Sequence, residues 1–448
     1  MINQTDETGL ETFAALPRYQ SKAAVRSAIC NGGPGLLDDI PGCTGEDSFL
    51  YVISNTDEQE FDRFIASIPG VCIDPRQNEA GKFRTYRLAD RIYYIYYLYA
   101  DGTVRVIEDN SSDIPAEALS APGMAERISI YQYSLNYVDA CVPYAEQGCM
   151  DCGMLYIIRF PDGSLFLVDS GHGVQATERS QEGLYRFLRQ ISGTPEGEKI
   201  RIRAWFFTHA HGDHCGMAAT MLGEYYEQGQ AEQLGRSYAE ELDVEAVLFN
   251  FPAYRVAVGT YAPKETAAMK AAMRRNYPDA YYAKLHTGQR FELFGLAFEV
   301  LATWEDSVLP DGSWGLKEFN STSTVLRLTY GSHSLLMLAD TAKALESILL
   351  RNYTAQTLRS EIVQVAHHCI NNLGIYEVID ADYALVPTAY RLMSIRNAAA
   401  YARFQNVCTK GIYCADAVTW ELALRPDSME VFEHPRYDAD DPAVHQAG

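Results

Sequence analysis

The sequence predicts an α+β protein in which helices pack outside a β core, preceded by a small βαβββ N-terminal module. Short apolar runs with the two-residue period of strands recur along the chain, and amphipathic runs of helical period stand between them. The chain is also 448 residues long, which exceeds the usual size of one hydrophobic core. One large domain and one smaller domain are therefore expected.

The small module is predicted from residues 47 to 110. A strand (SFLYVIS), an amphipathic helix (DEQEFDRFIASI) and three further strands (FRTYRLA, RIYYIYYLYA and TVRVIED) follow one another, with Asp101-Gly102 as a hairpin turn. Residues 1–46 carry loop signals, and the turn-rich segment 110–123 predicts a linker. We therefore expect a module at 1–120 that covers a functional site of the other domain, mediates dimerisation or binds a partner, followed by a larger domain at 121–448.

The large domain is predicted to mix strands and helices up to its last α/β unit, which begins at YALVPTAY. Its first strands are ISIYQYSL, MLYIIRF, SLFLVDS and IRIRAWFF, and later ones are expected at 245–250, 290–301, 323–330, 333–339 and 361–366. Helices are expected at 178–191, 215–228, 264–275 and 341–350.

The charge of the chain limits its partners. With 37 basic and 59 acidic residues the formal net charge is −22, which disfavours long nucleic acid and anionic membranes and favours a small-molecule substrate. The first residues, MINQTDETGLETF, have no signal-peptide character, and no apolar run is long enough to cross a membrane, so a cytoplasmic location is expected. The CxxC formed by Cys149 and Cys152 is interpreted as two ordinary thiols. A homo-oligomer is compatible with the sequence.

The stretch THAHGDHCG at 208–216 carries the clearest chemical signal. His209, His211, Asp213 and His214 follow directly after the apolar strand that ends in AWFF. Imidazole and carboxylate groups are the ligands that zinc, iron and manganese accept, and the end of a strand can direct several of them into one cavity. This spacing predicts a metal site.

Further ligand candidates stand where other apolar strands end. Asp169 ends LFLVD, Asp340 ends HSLLMLAD, and His367 and His368 follow EIVQVA. Carboxylates and imidazoles at several strand ends fit a metal site at one rim of a β sandwich.

These blocks together resemble the metallo-β-lactamase-fold hydrolase superfamily over residues 126–430. In that family a strand ending in Asp-x-Gly, the HxHxDH block, a bridging Asp and a late His build a two-metal site in an αββα sandwich. The run NSTSTVLRLTYGSHSLLMLADT followed by LRSEIVQVAHHC is similar to the hydrolase domain of bacterial competence-type DNA-uptake channels and to phosphorylcholine esterases. Asn320 and Ser323 match the Asn-x-x-Ser strand of those relatives.

The resemblance implies a role for each of these residues. His209 and His211 would bind one metal, Asp213 and His214 the other, and Asp340 would bridge them. His368 is favoured over His367 to complete the shell of the first metal, and His367 would donate to the leaving oxygen. Asp169, Asn320 and Ser323 would lie behind the ligands. The resemblance thus implies two divalent ions, with zinc expected first and manganese or iron as alternatives, and names Asp213 and His367 as catalytic.

Two departures from the family pattern affect this assignment. The strand FEVLATWED lacks the further histidine ligand of many members, so His286, His172, Glu305, Asp306 or water would have to replace it. The turn after the histidine pair is HHCI where relatives have HHGS. An isoleucine there predicts a changed substrate preference.

The function expected is metal-dependent hydrolysis by a metal-activated hydroxide, with a small phosphodiester or related phosphoester as the substrate. A lactone, thioester or other carboxyl ester is the main alternative, because the same metal site serves those reactions elsewhere in the superfamily. A non-catalytic metal-binding or sensing module is a second alternative. A redox role like that of the diiron flavoproteins is more distant, because no flavodoxin-like segment is evident after residue 380.

Overall fold

The computed structural model describes residues 15–17, 19, 25–30, 49–109, 112–135, 153–224, 236–252, 263–308, 319–390, 398–415 and 418–435. The CxxC of Cys149 and Cys152 lies outside these residues. None of the helices within them is long and apolar enough to cross a membrane.

The N-terminal part forms a six-stranded antiparallel sheet in the order β1-β2-β6-β5-β4-β3. Its strands are β1 (Val25–Cys30), β2 (Phe49–Ser54), β3 (Cys72–Gln77), β4 (Gly81–Leu88), β5 (Arg91–Leu98) and β6 (Thr103–Asp109). Helix α1 (Glu58–Ser67) follows β2, and Asp57 caps it by accepting a hydrogen bond from the Glu60 amide. The predicted βαβββ order is therefore present within a larger sheet.

Two strands of this sheet were not predicted, and both lie at its edges. β1 falls in the segment that carries loop signals, and β3 contains Pro75, which cannot donate a ladder hydrogen bond. An edge strand tolerates proline because one of its sides needs no partner. Edge strands are thus poorly marked in the sequence.

Strand β5 explains why the module is rich in tyrosine. Successive side chains of a strand point to opposite faces, so Tyr94 and Tyr96 pack in one core cluster with Trp304 of the large domain. Tyr93 and Tyr97 point the other way and pack under α1. The sheet is buried on both faces, which agrees with the all-buried pattern along most of β5.

The large domain contains two sheets. The first has the order β13-β12-β10-β9-β8-β7-β21-β22, with β11 beside β10. Its strands are β7 (Ile128–Gln132), β8 (Leu155–Arg159), β9 (Leu165–Asp169), β10 (Ile200–Phe207), β11 (Leu242–Val244), β12 (Ala246–Phe249), β13 (Tyr281–Ala283), β21 (Val418–Arg425) and β22 (Ser428–Pro435). The second runs in chain order through β14 (Arg290–Leu293), β15 (Leu296–Ala302), β16 (Val325–Tyr330), β17 (His333–Met337), β18 (Ile362–Gln364), β19 (Tyr383–Val386) and β20 (Gly411–Cys414).

Helices cover the outer faces of both sheets. Those on the first sheet are α2 (Glu178–Ser192), α3 (Gly212–Met221) and α4 (Pro263–Asn276). Those on the second are α5 (Lys343–Asn352), α6 (Ala355–Leu358), α7 (Ile375–Ile379) and α8 (Ala398–Val407). A third cluster of apolar side chains fills the space between the sheets. The fold class is therefore an α+β sandwich of the metallo-β-lactamase type, as predicted.

Parallel pairing sets the position of the functional residues. β9 pairs in parallel with β10, and β17, β18 and β19 are parallel to one another. Side chains that follow the carboxyl ends of such strands lie at one edge of each sheet. The predicted ligand residues all follow β9, β10, β17 or β18.

The segment predicted as a linker is packed against the large domain. Within its described residues, 112–123, the Asp113 amide donates to the Tyr282 carbonyl at 2.7 Å and the Ala121 amide to the Glu292 carbonyl at 2.9 Å. Ala116 lies in a short 3-10 turn and is fully buried. The connection thus follows β13 and β14, the edge strands of the two sheets.

Arg105 of the module is buried in the large domain. Its guanidinium donates to the carbonyl groups of Glu305, Asp306 and Val308 at 3.2, 3.4 and 3.2 Å, and Asp101 lies 3.6 Å away. A buried charge is stable only when such partners replace water. Arg105 therefore fixes the turn that follows β15.

Arg105→Ala should destabilise the whole protein by about 3–5 kcal/mol, because it leaves three buried carbonyls and a carboxylate without their donor. The free energy of unfolding in urea measures this change. Arg63→Ala, on the exposed face of α1, is the control and should change stability by less than about 0.5 kcal/mol. Equal stabilities of the two variants would contradict the role given to Arg105.

His286 joins the two parts through a buried ion-pair cluster. Its Nδ1 lies 2.9 Å from the Glu305 carboxylate, its Nε2 lies 3.5 Å from Asp109, and its ring lies 3.8 Å from that of Tyr94. Lys284 also faces Asp109, at 3.6 Å. Burial alone would lower the pKa of His286, but the two carboxylates outweigh it and raise the pKa to about 9.

His286→Gln should therefore flatten the dependence of stability on pH. A histidine with a raised pKa in the folded state stabilises fully below its unfolded pKa near 6.5, and this contribution disappears as pH rises through 9. Between pH 6 and 10 the wild type should lose about 2–3 kcal/mol more than the variant. Unfolding in urea across this range is the measurement, and parallel curves would refute the assignment.

Candidate metal centre

Asp169 ties the ends of β9 and β10 together. One carboxylate oxygen accepts from the Thr208 amide at 2.8 Å, and the other accepts from the Thr208 hydroxyl at 2.9 Å and from His214 Nδ1 at 2.7 Å. Asp169 is fully buried and has a positive φ of 59°, a conformation that aspartate tolerates better than most residues. It therefore contacts a predicted metal ligand from behind.

Helix α3 begins earlier than predicted, at Gly212 instead of near residue 215. His211 has extended backbone angles at the N-cap position, so Asp213 and His214 fall in the first helical turn. A Cβ atom at position 212 would lie 3.3 Å from the Glu265 side chain, which is a tight contact. Glycine, which has no Cβ, avoids this contact. The four predicted ligand residues of this block thus span a strand end and a helix start.

The predicted ligands converge in two groups that share Asp340. One group is His209, His211 and Asp340, and the other is Asp213, His214, Asp340 and His368. Within each group the ligand atoms all lie within 4.8 Å of one another. The arrangement offers one shared carboxylate between two sets of ligands.

The distances between imidazole nitrogens and carboxylate oxygens show the direction in which each ring points. His209 Nε2 lies 3.1 Å from His211 Nδ1 and 3.8 Å from Asp340. In the second group, His214 Nε2 and His368 Nε2 lie 3.2 and 3.4 Å from Asp340, and His368 Nε2 lies 3.2 Å from Asp213. Such spacing brings ring nitrogens and carboxylate oxygens to a common point.

Hydrogen bonds behind the rings fix which nitrogen is free to bind a metal. His214 Nδ1 donates to Asp169 at 2.7 Å, and His368 Nδ1 donates to the Pro387 carbonyl at 3.0 Å. In both rings Nε2 then carries the lone pair that faces the centre. This pattern is usual for histidines that bind metals.

The buried polar atoms of the second group fit a divalent cation. Within the part of the chain that the structure describes, His214 Nε2, His368 Nε2 and both carboxylate oxygens of Asp340 are buried and make no hydrogen bond. Burying such atoms without a partner is costly, whereas a bound cation satisfies them together. The donor set of imidazole and carboxylate suits zinc, iron or manganese.

Charges inside the cluster change the pKa values of its members. Burial lowers the pKa of His368, but Asp340 and Asp213 outweigh it and raise that pKa to about 9. Burial would raise the pKa of Asp340, yet His214 and His368 hold it well below its usual range. The pKa of His209 is lowered by burial and by the neighbouring imidazoles. A cation that binds here must therefore displace protons from imidazole.

The position of His368 differs from the one that the resemblance implied. His368 lies with Asp213 and His214, not with His209 and His211. The reason is the backbone: β18 and β19 bring His368 to the Pro387 carbonyl, which directs its ring toward Asp213. Among the described residues, the first group consequently has two histidines and the shared Asp340.

The residues considered as replacements for the missing histidine lie outside both groups. His286 pairs with Glu305, and Asp306 accepts from Thr287 and from the Thr303 amide. His172 donates from its backbone amide to Gln175. None of these four candidates belongs to either ligand group of the described residues.

His367 belongs to neither ligand group of the described residues but lies beside Asp340, which both groups share. Its Nε2 is 3.9 Å from Asp340 and 2.9 Å from the Asn320 amide nitrogen. Ser323 lies nearby and its hydroxyl accepts from the Asp340 amide at 3.2 Å. Asn320 and Ser323 thus both contact the centre, each through a different residue.

Sequence reasoning missed three features of the centre. Thr208 connects Asp169 to both His209 and His214, and only its place before His209 could have signalled this. The Pro387 carbonyl is a backbone group and has no sequence signal. His367, His368 and Cys369 all have positive φ, of 48°, 48° and 63°, so the tight turn forms without a glycine.

A comparison with protein families agrees with this geometry. Residues 153–373 match the family model of the metallo-beta-lactamase superfamily. This segment contains every ligand residue described above, and the sandwich fold supports the same superfamily. The match and the two ligand groups together support the binding of a divalent metal.

Comparisons with individual proteins add little to the superfamily match. No curated protein matches the chain. Among the solved structures that do match is CmlA, a diiron beta-hydroxylase from Streptomyces venezuelae, at 12% identity and a TM-score of 0.33. The match covers 68% of this chain and 55% of that chain, so it spans about half of the length of CmlA.

Asp169→Asn should weaken metal binding by about 10–100-fold while the fold is kept. Asparagine preserves the shape and tolerates the positive φ, but it lacks the charge that holds His214 Nδ1–H. Calorimetric titration with zinc measures the affinity, and Asp162→Asn on the β8–β9 hairpin is the control. An unchanged affinity in Asp169→Asn would show that the carboxylate does not orient His214.

Proposed function

We propose that the protein is a metal-dependent hydrolase that acts on a small phosphodiester. The observation that carries this proposal is the pair of ligand groups sharing Asp340, next to a histidine that belongs to neither group. The first group would use His209 and His211, and the second would use Asp213, His214 and His368. Two divalent ions held there would lower the pKa of a water molecule and stabilise the negative charge that develops on the phosphate.

His367 is the proposed proton donor to the leaving oxygen. The Asn320 amide donates to His367 Nε2 at 2.9 Å, which places the ring proton on Nδ1. Among the described residues, Nδ1 has no hydrogen-bonding partner. This buried N–H group is proposed to donate to an oxygen of the bound substrate, and Asn320 holds the ring in that orientation.

Asp213 is the ligand that faces the opening of the centre. Its side chain is 18% exposed, whereas those of Asp340 and His368 are 1% exposed. A carboxylate at the opening can accept a hydrogen bond from an attacking water molecule as well as bind a metal. Asp213 is thus proposed to orient the nucleophile.

Two features favour a small phosphodiester over other esters. A carboxylate shared by two ligand groups suits an in-line displacement in which attacking and leaving oxygens are both stabilised. The net charge of −22 repels long polyanions, which limits the substrate to a small molecule. The similarity to phosphodiesterase branches noted in the sequence supports the same choice.

The test combines metal analysis with turnover of bis(p-nitrophenyl) phosphate and of a lactone panel. The wild type should bind two ions and hydrolyse the diester, and Asp213→Ala should lose about 100-fold or more of kcat/KM because a ligand and an orienting oxygen disappear. His367→Gln should keep both ions and lose about 10²–10⁴-fold of kcat, as expected for a proton donor. Asp279→Ala, at an exposed turn, is the control.

Other outcomes would redirect the proposal. Turnover of lactones alone would make the protein a carboxyl-ester hydrolase. One bound ion or none, with turnover of neither substrate, would favour a binding or sensing module. Loss of bound metal in His367→Gln would assign His367 to the ligands and remove it as proton donor.

A further inference from the structure

Two exposed apolar side chains follow closely, along the chain, on residues of the proposed metal centre. Ile370 is 38% exposed and follows the His367–Cys369 turn directly. Tyr390 is 53% exposed and lies three residues after Pro387, whose carbonyl accepts from His368. Both residues are thus close in sequence to groups that form the proposed centre, Ile370 to the histidine pair and Tyr390 to the carbonyl that accepts from His368.

The backbone turn holds Ile370 in this place. The Ile370 amide donates to the His367 carbonyl at 2.7 Å, which closes a tight turn. Cys369 points inward and is fully buried, so the next side chain points outward. Three consecutive residues of positive φ cost free energy, and a strained turn of this kind is typical of functional sites.

Tyr390 is anchored to the same turn through a series of aromatic contacts. Its ring packs edge-on against Tyr401 at 6.1 Å, Tyr401 packs on Phe404 at 5.5 Å, and Phe404 packs on Tyr376 at 5.8 Å. The Tyr376 hydroxyl accepts from the Ala366 amide at 3.0 Å, directly before His367. Tyr390 is thus an exposed ring on a rigid support.

His367 is the more exposed member of the histidine pair. The His367 side chain is 19% exposed, whereas that of its neighbour His368 is 1% exposed. Ile370 is three residues from His367 and hydrogen-bonded to it, and the next residues are the uncharged Asn371 and Asn372. A ligand that reaches the centre past His367 therefore meets apolar surface without charged groups at this turn.

We propose that Ile370 and Tyr390 form an apolar wall that binds an aromatic or alkyl group of the substrate. The substrate would then be a phosphodiester with an apolar ester group beside the reacting phosphorus. This inference rests on the proposed function, because it takes the phosphoryl group to lie at the metal centre. A larger apolar group on the substrate would bury more apolar surface against these two side chains, so the protein would prefer such substrates.

Binding tests the wall without turnover. Calorimetric titration of the metal-loaded protein with phenylphosphonate and methylphosphonate compares ligands with one phosphoryl group and different apolar size. The wild type should prefer the phenyl compound by about tenfold, and Ile370→Ser and Tyr390→Ser should each reduce this preference by about threefold or more. Tyr281→Ser and Ile73→Ser, at comparably exposed positions on other parts of the chain, should leave it unchanged.

Three outcomes would overturn the wall: no preference in the wild type, a preference unchanged in both wall variants, or binding of neither phosphonate. Turnover of bis(p-nitrophenyl) phosphate and methyl p-nitrophenyl phosphate separates this result from the proposed function. If the phosphonate preference depends on both residues but neither diester is hydrolysed, the wall is supported and the hydrolase proposal fails. If both diesters are hydrolysed equally and no phosphonate preference exists, the hydrolase proposal survives and the wall fails.

Discussion

The buried carboxylate of Asp169 is the contact on which the geometry of the centre depends. It holds the Thr208 amide and hydroxyl at the end of β10 and accepts from His214 in the first turn of α3. One side chain thereby fixes the ends of β9 and β10 and the start of α3 relative to one another. The proposed ligand histidines need this support, because an imidazole that can rotate binds a cation weakly.

Buried charged side chains also join the N-terminal module to the sandwich. Arg105 reaches three carbonyls after β15, and His286 lies between Glu305 of the sandwich and Asp109 of the module. Buried charges have few acceptable partners, so they fix the relative position of two elements more sharply than apolar contacts do. Glu305 and Asp306, the acidic residues after β15, form this contact and belong to neither ligand group of the described residues.

Strain and burial together shape the opening of the centre. Residues 367–369 adopt positive φ without a glycine, and the Cys369 side chain is buried. The cost of that conformation must be met by the surrounding packing, here by Tyr376 and the helices on the second sheet. The outcome is a histidine pair in which the side chain of His368 is almost fully buried and that of His367 is partly exposed.

Local pattern was sufficient for much of the protein. The alternation in RIYYIYYLYA marked a strand, and the ligand residues of THAHGDH stood out because imidazole and carboxylate groups after an apolar strand have a specific chemical use. The edge strands β1 and β3 and the start of α3 were not predictable, since they depend on pairing and capping by residues distant in the chain. Only the tertiary structure decided that His368 lies with Asp213, that His286 and Glu305 serve the module contact, and that Cys369 is buried whereas Ile370 is exposed. The sequence determines which side chains can bind a metal. The packing of the two sheets, which brings the ends of their strands together, determines which of those side chains meet.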